Sequence, residues 1–195
     1  MDVARPDVSA RSRGRFAPFV AMVLAVVVGG LFWTFVAAEP NRNETADTNL
    51  MDQPAPDAVG EFADGSRFDL ARRKGDWVIL NFFQSSCVPC QQEHPELVAF
   101  SAQQSATPDG ARLFTIVYDD DPADVEAFFA ERGGDWPVVY DTDGSIAVGF
   151  GVSKVPETWI IDPTGVIRGR IISQVTAAFL TTQINRLRGS PTTGS

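Results

Sequence analysis

Apolar positions are unevenly spread along the 195 residues of this chain. Phe16 to Ala38 (FAPFVAMVLAVVVGGLFWTFVAA) is a run of 23 residues without a charge. Beyond it the apolar residues come in short bursts, separated by polar or Gly/Pro-rich breaks. The first run is long enough to cross a hydrocarbon core of about 30 Å as one helix. Arg5, Arg11, Arg13 and Arg15 precede it against Asp2 and Asp7, and Glu39 follows. The positive-inside rule then leaves residues 1–15 in the cytoplasm and the remainder outside. Val36 and Ala38 have the spacing a signal peptidase accepts, yet a signal h-region is shorter, about 7–15 residues. The expectation is an uncleaved transmembrane anchor over 16–38.

Residues 39–56 (EPNRNETADTNLMDQPAP) are polar and without period, and read as a flexible linker. From Asp57 the pattern alternates. Ser66 to Leu70 reads as a short strand after the Asp64-Gly65 turn. Trp77 to Phe83 (WVILNFF) reads as a buried strand, Cys87 to Gln104 as a helix, and Arg112 to Tyr118 (RLFTIVY) as a second buried strand. Asp121-Pro122 starts a helix that Gly133-Gly134 stops. A brief helix follows over Ile146 to Phe150. Thr158 to Ile161 and Val166 to Ile172 flank the turn Asp162-Pro163-Thr164-Gly165 as a hairpin, and Thr176 to Leu187 closes the domain as a helix. Strands alternating with helices, then a hairpin and a helix, imply an α/β domain over 57–188 with a mixed central sheet covered on both faces. The order β-α-β-α-β-β-α matches a thioredoxin-like fold. Residues 189–195 (GSPTTGS) read as a disordered tail.

Charge narrows the partners. After Ala38 there are 23 acidic against 12 basic residues, with no basic cluster to attract nucleic acid or anionic lipid. The only membrane contact expected is through the N-terminal helix.

Chemistry concentrates in one place. The only cysteines, Cys87 and Cys90, lie in QSSCVPCQQEHPEL between the first buried strand and the helix after it. A disulfide closing so short a loop removes little unfolded-chain entropy and is a poor staple. Zinc generally takes four ligands, and His94 is the sole histidine, so no metal site or cofactor is expected, although copper(I) on two thiolates stays conceivable. Redox chemistry fits better. A sulfur at the start of a helix faces unpaired N–H groups and the positive end of the dipole, which favour thiolate. Cys90, one turn on, is placed to resolve a mixed disulfide, and Pro89 falls in the first turn, where its missing N–H costs little.

From about Gln53 to Leu187 the chain resembles the thioredoxin superfamily, and within it the membrane-anchored TlpA, ResA and CcmG (DsbE) group. PAPDAVGEFADGSRFDL, VILNFFQSSCVPCQQEHPEL, GVSKVPETWIIDPTGVIRGRI and the closing helix carry the resemblance. It implies that Cys87 is the nucleophile and Cys90 the resolving cysteine of a redox-active disulfide. It also implies a cis bond at Val155-Pro156 beside the cysteines, with Val155, Pro156 and Glu157 as the substrate-binding segment. Glu157 has an equally open alternative, pairing with a nearby cation. Two positions depart from the family pattern: Ser86 stands where a Trp is usual, and Asn81 stands where thioredoxins proper carry a buried acid. Glu93, three residues past Cys90 and on its helical face, is the candidate to replace that acid. A partly buried carboxylate there would have a raised pKa and could shuttle the proton of Cys90; the alternative is a solvated helix glutamate like Glu96. His94 points about 100° away and reads as a surface or half-buried residue.

The resemblance implies a thiol:disulfide oxidoreductase on the outer side of a bacterial cytoplasmic membrane. Its expected task is to reduce the CxxCH cysteines of apocytochrome c, with electrons from a membrane carrier of the CcdA or DsbD kind. The alternatives are an oxidant of secreted proteins and a copper-binding assembly factor for a respiratory oxidase. Against the latter stand the CxxC spacing and a histidine in the same helix.

Overall fold

The computed structural model describes residues 17–37, 44–45 and 48–189; the expected cytoplasmic segment 1–15 and residues 190–195 of the expected tail lie outside them. The chain divides into two units, Met1–Pro40 and Asn41–Ser195. The first contains α1, Ala17–Ala37, a helix of 21 residues with no charge in its sequence. Among the described residues no helix is long and apolar enough to cross a membrane; the side chains of α1 are described only over 18–30 and at Trp33, whereas its backbone would reach about 32 Å at 1.5 Å per residue.

The second unit is built on one eight-stranded sheet. In chain order its elements are β1 (Glu44–Thr45), β2 (Val59–Phe62), β3 (Arg67–Asp69), β4 (Val78–Phe83), α2 (Val88–Ser105), β5 (Arg112–Val117), α3 (Pro122–Arg132), β6 (Val138–Tyr140), α4 (Ser145–Phe150), β7 (Glu157–Ile161), β8 (Ile167–Ile172) and α5 (Ala177–Gly189). The strand order is β1-β8-β7-β4-β5-β6-β2-β3. Parallel pairing joins β4 to β5 and β5 to β6, and the remaining pairs are antiparallel. Every residue of β4 is buried, as a central strand covered on both faces must be.

Alternation along β4 sorts the core. Ile79 packs with Leu97 and Phe100 of α2 and Leu180 and Ile184 of α5, and Phe83 packs with Cys90 and with Val125 and Phe128 of α3. Leu80 and Phe82 point the other way, to Ile146 and Phe150 of α4 and to Trp159. Helices thus cover both faces, as the pattern predicted. Asp121 caps α3 through Ala123 N–H, and Gly133, at φ 74°, ends it. Asp162 organises the β7–β8 turn, accepting from the backbone N–H of Thr164 and Val166.

Two expectations need correction. β2 was not foreseen, because Val59–Phe62 is short, half-buried and interrupted by Gly60. Of the segment expected as a flexible linker, the described residues 44–45 and 48–56 are docked, and the rest lies outside the described residues. Glu44–Thr45 pairs with β8, Leu50, Met51 and Ala55 pack against the core, and Asp52 pairs with Arg168 at 2.7 Å. Its few apolar residues find the edge of the β7–β8 hairpin, a tertiary surface that local composition does not display.

Candidate active site

The chain leaves the buried end of β4 and enters α2 through Gln84–Cys87. Cys87 is the N-cap of α2, with extended φ and ψ (−75°, 108°), and its sulfur accepts the backbone N–H of Cys90 at 3.2 Å. The two sulfurs form a disulfide with Cα atoms 5.2 Å apart. Their settings differ. Cys90 is fully buried among Phe83, Val117, Val125 and Phe128, whereas Cys87 is half-exposed beside the exposed Ser86, Val88 and Pro89. The turn is held from several sides: Asp120 accepts from the N–H and hydroxyl of Ser85, Gln91 Nε2 donates to the Ser85 carbonyl at 2.7 Å, and Gln174 Nε2 donates to the Pro89 carbonyl at 3.0 Å. Sequence reading missed Asp120 and Gln174. They act across 35 and 85 positions, and no local pattern announces them.

Glu93 lies one turn below Cys90 on α2 and is only 1% exposed. Its Oε1 accepts from Asn81 Nδ2 at 2.7 Å and its Oε2 from the Val175 N–H at 2.9 Å. Burial pushes its pKa up to about 7, against the downward pull of those two donors. Asn81, fully buried on β4, also donates to Thr158 Oγ1 at 3.1 Å. The register follows from two periods: Ile79, Asn81 and Phe83 face α2 from the strand, and Leu97, Glu93 and Cys90 face back from the helix.

The Val155-Pro156 peptide bond is cis. Val155 packs against the same cluster that holds Cys90 and touches Cys87, and the Pro156 carbonyl accepts from the Ser173 N–H at 3.0 Å. The successive residues Ser173, Gln174 and Val175 therefore contact the proline segment, the cysteine turn and Glu93. Glu157 takes the course of pairing with a cation, a correction to its place in the substrate-binding segment. Its carboxylate is buried on the far face of the sheet, bonded to Arg170 Nε at 2.9 Å and to Trp159 Nε1 at 2.8 Å. His94 is also corrected: it is 2% exposed, its Nε2 within 2.8 Å of the Gly133 carbonyl and its ring against Phe128, Phe129 and Trp136. Burial lowers its pKa, opposed by the Gly133 contact. Turning 100° from Glu93 leads into the α3–β6 connection, which covers a second side of α2.

Comparison with known proteins agrees with this geometry. Residues 51–170 match the AhpC/TSA family. The thiol:disulfide interchange protein HelX of Rhodobacter capsulatus is 30% identical over 171 residues, 85% of this chain and 91% of that protein. The thiol-disulfide oxidoreductase ResA of Bacillus subtilis is 28% identical over 176 residues, 90% of this chain and 93% of that one. Among solved structures, a thioredoxin-family thiol:disulfide interchange protein from Chlorobium tepidum superposes with a TM-score of 0.63 at 25% identity, covering 74% of this chain and 100% of that one.

Proposed function

Since this chain belongs to the AhpC/TSA family, as a thioredoxin-like thiol:disulfide oxidoreductase of the HelX, ResA and DsbE type, we propose that it works as a reductant of protein disulfides, with the CxxCH cysteines of apocytochrome c as its substrate. In this reading α1 anchors the domain on the outer side of a bacterial cytoplasmic membrane. A membrane thiol:disulfide carrier of the CcdA or DsbD kind recharges it.

One observation carries the reading: a half-exposed sulfur at a helix N-cap, backed by a buried sulfur one turn above a buried carboxylate. The Cys87 thiolate, favoured by the helix N-terminus, attacks a substrate sulfur. A mixed disulfide forms and one substrate thiolate leaves. Cys90 then gives its proton to the Glu93 carboxylate, and its thiolate attacks the Cys87 sulfur. The Cys87–Cys90 disulfide forms, the second substrate thiol is released, and two electrons have passed to the substrate. The direction is argued from charge. An ionised Glu93 opposes thiolate at Cys90, and a pair whose reduced form is poorly stabilised is a reductant, whereas a strong oxidant has a stabilised reduced form. The half-exposed Val155 and the buried Pro156 beside the cysteines supply the surface on which a substrate strand would lie.

The test uses the full-length chain and an oxidised CxxCH peptide. Wild type should reduce the peptide, Cys87→Ala should be inert, and Cys90→Ala should trap the peptide on Cys87. If Cys90→Ala reacts with a small aromatic disulfide but never captures the peptide, the substrate assignment is wrong.

A further inference from the structure

Asn81 was first legible only as a missing acid, yet its surroundings give it a role of its own. In the arrangement described, both oxygens of Glu93 accept from N–H groups, one from the Asn81 amide and one from the Val175 backbone. That cradle suits a carboxylate and offers no acceptor for the proton of a carboxylic acid. It also leaves Asn81 Oδ1 buried without a hydrogen-bond partner, a loss that burial makes costly. The Val175 N–H belongs to the backbone and cannot reverse. The Asn81 amide can, because a half-turn exchanges its donor and acceptor ends. Thr158, its other partner, carries a hydroxyl that accepts in one orientation and donates in the other.

We infer that Asn81 is a positioning residue whose amide turns with the protonation of Glu93, donating Nδ2–H to the carboxylate and offering Oδ1 to the carboxylic acid. The proton is thereby held or released without a second buried acid, whose negative charge would oppose the thiolate. Among the described residues, no charged group faces Glu93 from the packed elements. On α2 itself, Glu96 is turned to the Ala177 N–H, on β7 Glu157 lies on the opposite face with Arg170, and on β8–α5 the contact is the Val175 N–H. The titratable neighbours on the cysteine side are Cys87 and Cys90, joined in the disulfide. The burial that raises Glu93 to about 7 places the exchange near neutral pH.

The inference rests on the proposed relay for its consequence, but its test does not. It is read on the full-length chain in detergent, in the disulfide form, where no thiol titrates. Carboxyl carbon resonances give the midpoint of Glu93, and the side-chain amide resonances of Asn81 give the turn. In wild type both signals should move with one midpoint. Asn81→Leu removes both the donor to the carboxylate and the acceptor for the acid; because the bond to the charged form is the stronger, the Glu93 midpoint should rise, by about half to one pH unit. Asn81→Asp, nearly isosteric, should also raise it, the two acids sharing one proton. An Asn81 amide signal indifferent to pH across the Glu93 titration, or a midpoint unmoved in both variants, overturns the assignment. If the midpoint responds and thiol chemistry does not depend on Glu93, the relay falls while the role of Asn81 stands.

Discussion

At the scale of single residues, the charge on Glu93 links chemistry to stability. Glu93→Gln is neutral at every pH, so the cysteines should become more acidic in the variant than in wild type. The two curves of thiol alkylation against pH should converge below 7 and separate as pH rises through 7. Superimposable curves would remove Glu93 from the mechanism. The same group gives a stability prediction of definite sign. Its folded pKa of about 7 lies above the ordinary 4.5, so between those values the folded chain keeps a proton that the unfolded chain has lost. The contribution of Glu93 is therefore full below pH 4.5 and declines to a plateau above 7, by up to about 3 kcal/mol. Glu93→Gln should gain stability relative to wild type between pH 5 and 8 in denaturant titrations, and a constant difference would contradict the buried assignment. The cysteines and Glu93 were legible because 3.6-residue spacing fixes which helix positions look inward. His94 was not, and Glu157 was legible only as one of two even alternatives. Their burial comes from the α3–β6 connection and from Arg170, partners supplied by distant parts of the chain.

At the scale of elements, strong periodicity was readable and weak edges were not. β4, α2, β5, α3 and the β7–β8 hairpin announce themselves through continuous apolar runs, an Asp-Pro start, a Gly stop and an Asp-Pro-Thr-Gly turn. β2 escapes notice because Gly60 sits in it, and the structure gives the reason for that glycine. A Cβ there would lie 2.7 Å from Val139 Cγ1 and 2.8 Å from the Tyr140 carbonyl, so β2 can lie against β6 only without a side chain. Gly60→Ala should cost about 1–3 kcal/mol through overpacking, visible as a lower thermal midpoint with the disulfide intact. An unchanged midpoint would mean that the β2 edge yields freely. The pairing of β1 with β8 is likewise invisible in sequence, since two residues carry no period.

At the scale of the whole molecule, the domain carries its one disulfide, Cys87–Cys90, where the sheet hands over to α2. In the function proposed above, Cys87 and Cys90 donate electrons rather than withdraw them, because Glu93 weighs against thiolate at the buried sulfur. The equilibrium reduction potential of the pair, measured on the full-length chain in graded thiol–disulfide buffers at pH 7, tests it most directly. The expected value lies near that of thioredoxin, about −270 mV, and a value near −120 mV, typical of a disulfide-forming oxidant, would contradict a reductant role.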